Sequence, residues 1–590
     1  MRRRILLFAT AFALAGCTAA APTPSLPAPT APPARPQLDL VAFDSCDRLL
    51  TELRAATQRT VTSFGLTAPV REAVSIAGRD AVSMPAAVPF SGTNVHEQGV
   101  DEPDIVKTDG RRIVTIDRGT LRVIDAAGRT VTGSLALGSL GASRLLLSGD
   151  HALVLSSGRT FAGRIRPDFL PPDGDVDLIL VDLAGPPKIL SHYRSTGRVV
   201  DARQNGSVAR VVLSSIPTIS FPMTATGDGA MLKQNRQVVA AAPIESWLPS
   251  WQVTTGTSVS QGRLDCGSVR RPRSFSGATM LSLLTFDLGA SALDGGSPIG
   301  VVADGDIVYG TPTDLYIAND PSRRLNALPG ADVQGTEIFQ FSLTMPPGKP
   351  VLVGSGTVPG ALLNQYSMSD WDGRLRIATT AKDESAVRIL ENHGGDLVQV
   401  GEVGGLGRGE KIYAVRFIGP RGYVVTFRQT DPLYTLDLSD WTAPRVTGEL
   451  KITGYSAHLQ PVGENLLVGI GQEATAQGVR QGLLVSLFDV SAGPRRVAAQ
   501  VVANSVSAAE WDPHALLWWP ATRLLVVPVK GSGQGALAYR VDDTGLQPVG
   551  HLTGDVSRSL VIGDDLWTLR EGGMSVASVS TLDTLATVRF

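Results

Sequence analysis

The chain has 590 residues, about four times the length of an ordinary single domain. Its 53 Lys and Arg stand against 55 Asp and Glu, a formal charge of −2, with 18% charged and 43% hydrophobic residues. Such a chain can bury a large core and gives no electrostatic reason to expect a nucleic-acid partner. With 63 Gly and 38 Pro but only 6% aromatics, it suits a turn-rich all-β protein.

At the amino terminus Arg2, Arg3 and Arg4 precede an apolar run from Ile5 to Ala15. This is the charged and apolar pattern of an export signal, and the run is shorter than the roughly 20 residues a membrane span needs. It ends in Leu14-Ala15-Gly16-Cys17, which resembles the bacterial lipobox. Small residues before Cys17 fit a signal peptidase, and an alkylated Cys17 would hold the chain on a membrane through acyl chains. The expectation is a lipoprotein signal peptide over 1–16, then lipidated Cys17 and a Pro/Ala-rich tether over 17–40. The protein is thereby expected to be exported and anchored to the outer face of a bacterial membrane. Cleavage would remove three arginines and no acid, moving the charge from −2 to −5.

Cys46 and Cys266 are the remaining cysteines. In an oxidising compartment a pair normally bonds, so a Cys46–Cys266 disulfide is expected. Two separate buried thiols are the alternative, since spacing alone does not bring the α-carbons within about 7 Å. Neither cysteine has the neighbours of a zinc site.

Residues 41–103 read as a helical lead-in segment and linker. Cys46, Leu49, Leu50, Leu53, Ala56 and Val61 follow helical spacing, with Asp44 or Ser45 as N-cap and Gly65 as stop. From Asp104 onward short β-branched runs alternate with Asp-Gly, Gly-Asp or Pro-Arg-Gly turns. Lys411 to Phe417, Gly422 to Phe427, Leu433 to Leu438 and Val446 to Ile452 make four strands in about forty residues. The third run often ends in aspartate, as at Asp125, Asp182, Asp437 and Asp489. Four-stranded units repeated at this period predict an all-β protein, a β-propeller over 104–590. Nine candidate sets start near 104, 143, 196, 299, 362, 411, 455, 505 and 555. Because propellers usually have at most eight blades, eight is the preferred number within a range of seven to nine. A partly helical insertion is expected over 216–276, with a short helix from Asn235 to Trp251; the disulfide would tie it to the amino-terminal helix as a cap.

Several stretches carry a resemblance. They include Gly99-Val100-Asp101-Glu102-Pro103-Asp104-Ile105-Val106-Lys107-Thr108-Asp109-Gly110, Asn364-Gln365-Tyr366-Ser367, Tyr423-Val424-Val425-Thr426-Phe427 and Ser486-Leu487-Phe488-Asp489-Val490-Ser491. These resemble the secreted bacterial family with a C-terminal β-propeller domain distantly related to tryptophan-aspartate repeats. The resemblance covers residues 40–590 and implies a propeller in an exported or lipid-anchored protein. It implies no chemistry, because the family has no established activity. Relatives commonly read Leu-His-Pro and Asp-His-Lys-Ala where this chain has Leu459-Gln460-Pro461 and Asp512-Pro513-His514-Ala515, so no shared histidine metal site is implied.

Candidate chemistry is sparse. Glu97, Asp101, Glu102 and Asp104 crowd four carboxylates before the first blade; Asp101 and Asp104 are the weak candidates for a cation. The cluster lacks a calcium-loop pattern, and a structural role for it is the stronger expectation. The seven histidines show no metal-ligand spacing, and no Gly-x-Ser-x-Gly elbow occurs. Gly469-Ile470-Gly471-Gln472-Glu473-Ala474 fits a dinucleotide fingerprint but lacks a following helix. Arg416, Arg428, Gln429 and Asp431 gather in one blade, and Trp441, Trp511, Trp518, Trp519 and Trp567 sit at strand ends. No catalytic residue, cofactor or firm metal ligand is assigned. The reading is a binding or scaffolding module of the cell envelope with a protein, peptide or glycan partner. The alternative is an envelope hydrolase or lyase with residues converging from several blades.

Overall fold

The computed structural model describes residues 43, 45–66, 89–92, 94–138, 140–158, 175–222, 227–270, 278–319, 335–343, 349–382, 384–427, 431–475 and 477–590. The expected signal peptide, Cys17 and tether lie outside them.

Within the unit Leu38–Phe590, strand follows strand in antiparallel meanders. Among the described residues these form nine blades built on four-stranded meanders, spanning 106–136, 142–196, 198–301, 307–359, 368–406, 411–452, 455–503, 505–553 and 558–589, with the hairpin Ser250–Arg263 added to blade 2 and the short strand Val269–Arg270 to blade 3. Nine is the upper edge of the expected range and one more than the preferred eight. Blades 4 and 5 share one sheet only through a parallel contact of their outer strands, Ser355 with Asp396.

Alternation explains the arrangement. Outer strands such as Arg445–Ile452 alternate exposed and half-buried residues, whereas Arg421–Phe427 is buried through its middle. Each second or third strand therefore offers apolar side chains on both faces, and each face must meet a neighbouring blade. Nine apolar clusters result, one at every seam. The seam that closes the ring packs Val106, Ile113 and Ile124 of blade 1 against Leu560 and fully buried Trp567 of blade 9. No strand is shared across it, since all four strands of blades 1 and 9 come from their own segments.

The recurrent aspartate at the end of the third strand closes the turn to the fourth. Asp125, Asp182, Asp437 and Asp489 accept backbone N–H bonds from Gly128, Ala184, Ser439 and Ser491. These bonds hold the carboxyls of Asp182 and Asp489 below the usual carboxylate range.

A helical cap completes the unit. Helix α1, Cys46–Thr60, starts at Ser45, whose side chain accepts from Arg48 N–H. It ends before Gly65, which closes a separate turn on Thr62. Helix α2 runs from Asp228 to Ala241, beginning earlier than expected and stopping before Pro243, which cannot continue a helix. Trp251 falls instead in the strand Ser250–Thr255, paired to the outer strand of blade 2. Leu49 and Leu53 of α1 pack with Val239, Trp247 and Leu264. Arg54 donates to the Ala242 carbonyl at 3.1 and 2.9 Å. The Cys46–Cys266 disulfide joins the helix to the insertion, with α-carbons 5.5 Å apart.

Peptide mapping without reductant should recover Cys46 and Cys266 in one cross-linked species. The double substitution Cys46→Ser/Cys266→Ser is expected to cost about 2–5 kcal/mol in urea unfolding while leaving the β-sheet circular dichroism of the folded state unchanged.

Candidate functional site

The inner strands of the blades surround a central channel, and the chain fills it with its own residues 89–92 and 94–104. Phe90 pairs with Ile562 along the first strand of blade 9, where Ser91 N–H donates to the Val561 carbonyl at 2.8 Å. The Asn94 amide donates to Gln460 of blade 7 at 3.2 Å and to the Pro513 carbonyl of blade 8 at 3.1 Å. His96 packs on Tyr309 of blade 4 and on Tyr366, ahead of blade 5, with ring centroids 5.0 and 4.5 Å apart. The Tyr309 hydroxyl donates to Glu97 at 2.9 Å. Asp101 exchanges backbone bonds with Gln204 of blade 3, and Asp104 with Leu145 of blade 2. The segment then turns into blade 1, whose Lys107 reaches back to Asp101 at 2.7 Å.

Two carboxylates anchor this plug. Glu102, 2% exposed, lies 3.8 Å from Arg203 and 3.5 Å from His514, and accepts from Gln365 at 3.1 Å. Asp104 meets the Arg558 guanidinium at 2.8–3.1 Å. The same guanidinium bonds Asp512 at 2.7 Å and the Ser557 carbonyl at 2.9 Å. His514 and Asp512 arrive because the inner edge of blade 8 is interrupted: strand Ser505–Val506 gives way to two 3-10 turns before Leu517–Trp519 resumes. Ser507 and Glu510 cap the first turn reciprocally.

The charges set one another's protonation. Burial pushes the Glu102 carboxyl up, but Arg203, His514 and His96 outweigh it and bring it to about 2. Burial likewise raises Asp512, yet His514 and Arg558 hold it at about 2. Burial pushes His514 down, while Asp104, Asp512 and Glu102 lift it to about 9. At neutral pH His514 is an imidazolium between carboxylates. That state supplies neither a free base nor an unengaged acid.

Asp101 is engaged by Lys107 and Asp104 by Arg558. Among the described residues no group of three or more His, Cys, Asp or Glu is placed to hold a metal ion. The Gly469–Ala474 stretch lies in the strand Leu466–Ala474; a Cβ on Gly471 would strike the Tyr455 carbonyl of the inner strand, so that glycine serves strand contact. Arg428 and Gln429 lie outside the described residues. Trp518 and Trp567 are buried, whereas Trp441 and Trp511 are 38% and 48% exposed. Sequence reasoning missed Trp371, exposed at 49% beside the Asp372-Gly373 turn. It also missed the plug, whose one local signal was four acids in a charge-poor chain.

Trp371 of blade 5 and Trp441 of blade 6 each lie against the other blade at their shared seam. The Trp371 ring edge lies beside Gly419, in the first turn of blade 6. Arg374 stacks on Trp441 at 3.7 Å and pairs with Glu391 at 2.7 Å, and Glu391 also bonds exposed His393 at 2.8 Å. In an antiparallel meander the first and third turns share one edge, so this aromatic and charged patch sits on a single face of the ring. Beside the plug, Asn94, Asp104, His514, Trp518 and Arg558 line only a water-sized cavity of about 30 Å³. An open polar groove of about 680 Å³ runs between Arg194 and Asp175 of blade 2 and Trp251 and Arg263 of the added hairpin.

A closed ring of four-stranded blades with an internally occupied channel defines a β-propeller. The chain matches the family described as a beta propeller domain over residues 90–582 and belongs to it. That match begins where the plug begins. An uncharacterized protein of Methanocaldococcus jannaschii is 36% identical over 250 residues, covering 40% of this chain and 38% of that relative. The matched region thus spans well under half of that relative's length. An uncharacterized protein of Archaeoglobus fulgidus is 27% identical over 566 residues, covering 82% of both chains. Among solved structures, the periplasmic gluconolactonase of Pseudomonas aeruginosa shares 11% identity over 52% of this chain and 92% of that one, with a TM-score of 0.34. Kluyveromyces lactis Hsv2 shares 12% over 68% and 99%, with a TM-score of 0.31. At these scores the likeness bears on neither site nor chemistry.

Replacing Arg558 by Met would leave Asp104 and Asp512 buried without their cation and should cost about 3–5 kcal/mol in urea unfolding. The pH profile has a defined sign. The Glu102 and Asp512 contributions are complete above about pH 4.5 and are lost as pH falls toward about 2. The His514 contribution is complete below about pH 6.5 and is lost as pH rises through about 9. Urea midpoints should therefore be highest between these limits, and His514→Asn should flatten the alkaline limb and, because His514 also helps hold Glu102 and Asp512 low, shrink the acid limb without abolishing it.

Proposed function

We propose that the protein is a binding or scaffolding module of the cell envelope. In this reading residues 1–16 are removed on export, lipid on Cys17 holds the chain on the outer face of a bacterial membrane, and 17–40 tethers the propeller above it. A protein, peptide or glycan ligand is taken on the face that exposes Trp371 and Trp441. The observation that carries the reading is the contrast between channel and face. Charged groups from many blades meet in the channel, but they are buried and committed to one another and to the plug. The exposed aromatic rings lie instead on a turn face, flanked by Arg374, Glu391 and His393. Exposed tryptophans with polar neighbours are the usual anchors of a recognition surface. The Cys46–Cys266 disulfide agrees with an oxidising compartment.

Two experiments test the parts separately. In cell fractionation, Cys17→Ser should move the protein from the membrane to the soluble exported fraction; retention in the membrane would end the anchoring proposal. Proximity labelling in the native cell should mark a reproducible envelope partner or polymer, and Trp371→Ala/Trp441→Ala should reduce that labelling at least about tenfold. Undiminished labelling by the double variant would move the binding face elsewhere.

A further inference from the structure

Arg416 lies on the first strand of blade 6, Lys411–Ile418, and is 1% exposed. All three of its guanidinium nitrogens lack a hydrogen-bond partner. The Tyr366 ring faces the guanidinium carbon at 4.8 Å, a cation–π contact that gives the N–H donors no oxygen acceptor.

The neighbouring arginines are answered in plane. Arg203 bonds Asp201, Gln365 and two carbonyls; Arg558 bonds Asp104, Asp512 and Ser557; Arg376 bonds the Ser369 hydroxyl and the Gly419 carbonyl. The plug explains part of the difference. Residues 89–104 hydrogen-bond or ion-pair with blades 1, 2, 3, 4, 7, 8 and 9 and with Gln365 ahead of blade 5. Blade 6 receives no such partner among the described residues, and it is on blade 6 that the cation stands alone. Ser367, next to Tyr366 in the chain, also keeps a fully buried hydroxyl without a partner.

A guanidinium removed from water needs a counter-charge and acceptors for its N–H groups. We propose that a chloride ion lies in the plane of the Arg416 guanidinium and completes the channel where the plug does not reach. One negative charge balances the cation. A monoatomic ion accepts from several N–H groups without directional demands, and the sealed surroundings favour it over a carboxylate or phosphate.

The purified protein is melted in chloride and in gluconate at equal ionic strength. The melting temperature should rise with chloride to a plateau, by roughly 2 °C or more, and bromide should reproduce the rise. In Arg416→Met the dependence should vanish. Crystals of the unaltered protein grown in bromide should show an anomalous peak in the guanidinium plane. The proposal is overturned by a melting temperature indifferent to halide, by a halide effect that persists in full in Arg416→Met, or by bromide crystals with no peak at Arg416. If Arg416→Met does not fold, the bromide crystal decides.

Discussion

The fold depends on closing a ring whose first and last blades exchange no strand, and the Arg558 fork is where that closure is made. Arg558 begins blade 9 and Asp104 precedes blade 1, so their ion pair bridges 454 residues of chain. Three of its nitrogens are engaged, by Asp104, Asp512 and the Ser557 carbonyl. A buried ion pair offsets its desolvation only when both partners are satisfied in this way. Its contribution is therefore as much to which blades meet as to how tightly they hold. Residues 89–91 add to the same closure by running along blade 9 before the chain crosses to blade 1.

The channel follows from this arrangement. The inner strands surround a central space, and the chain occupies it with a polar segment whose acids are distributed. Glu97 turns to Tyr309, Asp101 to Lys107, Glu102 to Arg203 and His514, and Asp104 to Arg558. Each pairing locates a different blade relative to the segment. The low charge of the whole chain, 18% of residues, thus conceals a local concentration of charge at its centre. The same logic leaves the charged groups of the channel committed to the plug and to one another.

The blades were legible because period-two alternation and turn residues are local. Arg445–Ile452 matches its expected range almost residue for residue, and the repeated aspartate marked turns whose bonds span only two or three residues. The nine sets were visible too; preferring eight put the habit of other propellers above the residues of this one. Helix α1 was legible from its cap and apolar spacing, whereas α2 was misplaced because Trp247 and Trp251 were read as helical beyond Pro243. The plug was not legible. Its partners lie up to hundreds of residues away, and no local periodicity distinguishes a buried acidic segment from a solvated one. Arg416 was singled out by its neighbours in sequence, yet its isolation could be seen only once Tyr366 lay over it.

The central claim is that residues 89–104 are an integral part of the ring rather than a linker at its edge. Amide hydrogen exchange tests it most directly, because the His96, Asp101 and Asp104 N–H groups are bonded inside the channel. The account predicts that this segment exchanges as slowly as the inner strand Arg558–Ile562 and opens together with it. Exchange of 94–104 at the rate of an exposed turn such as 491–493, with Arg558–Ile562 still protected, would contradict it.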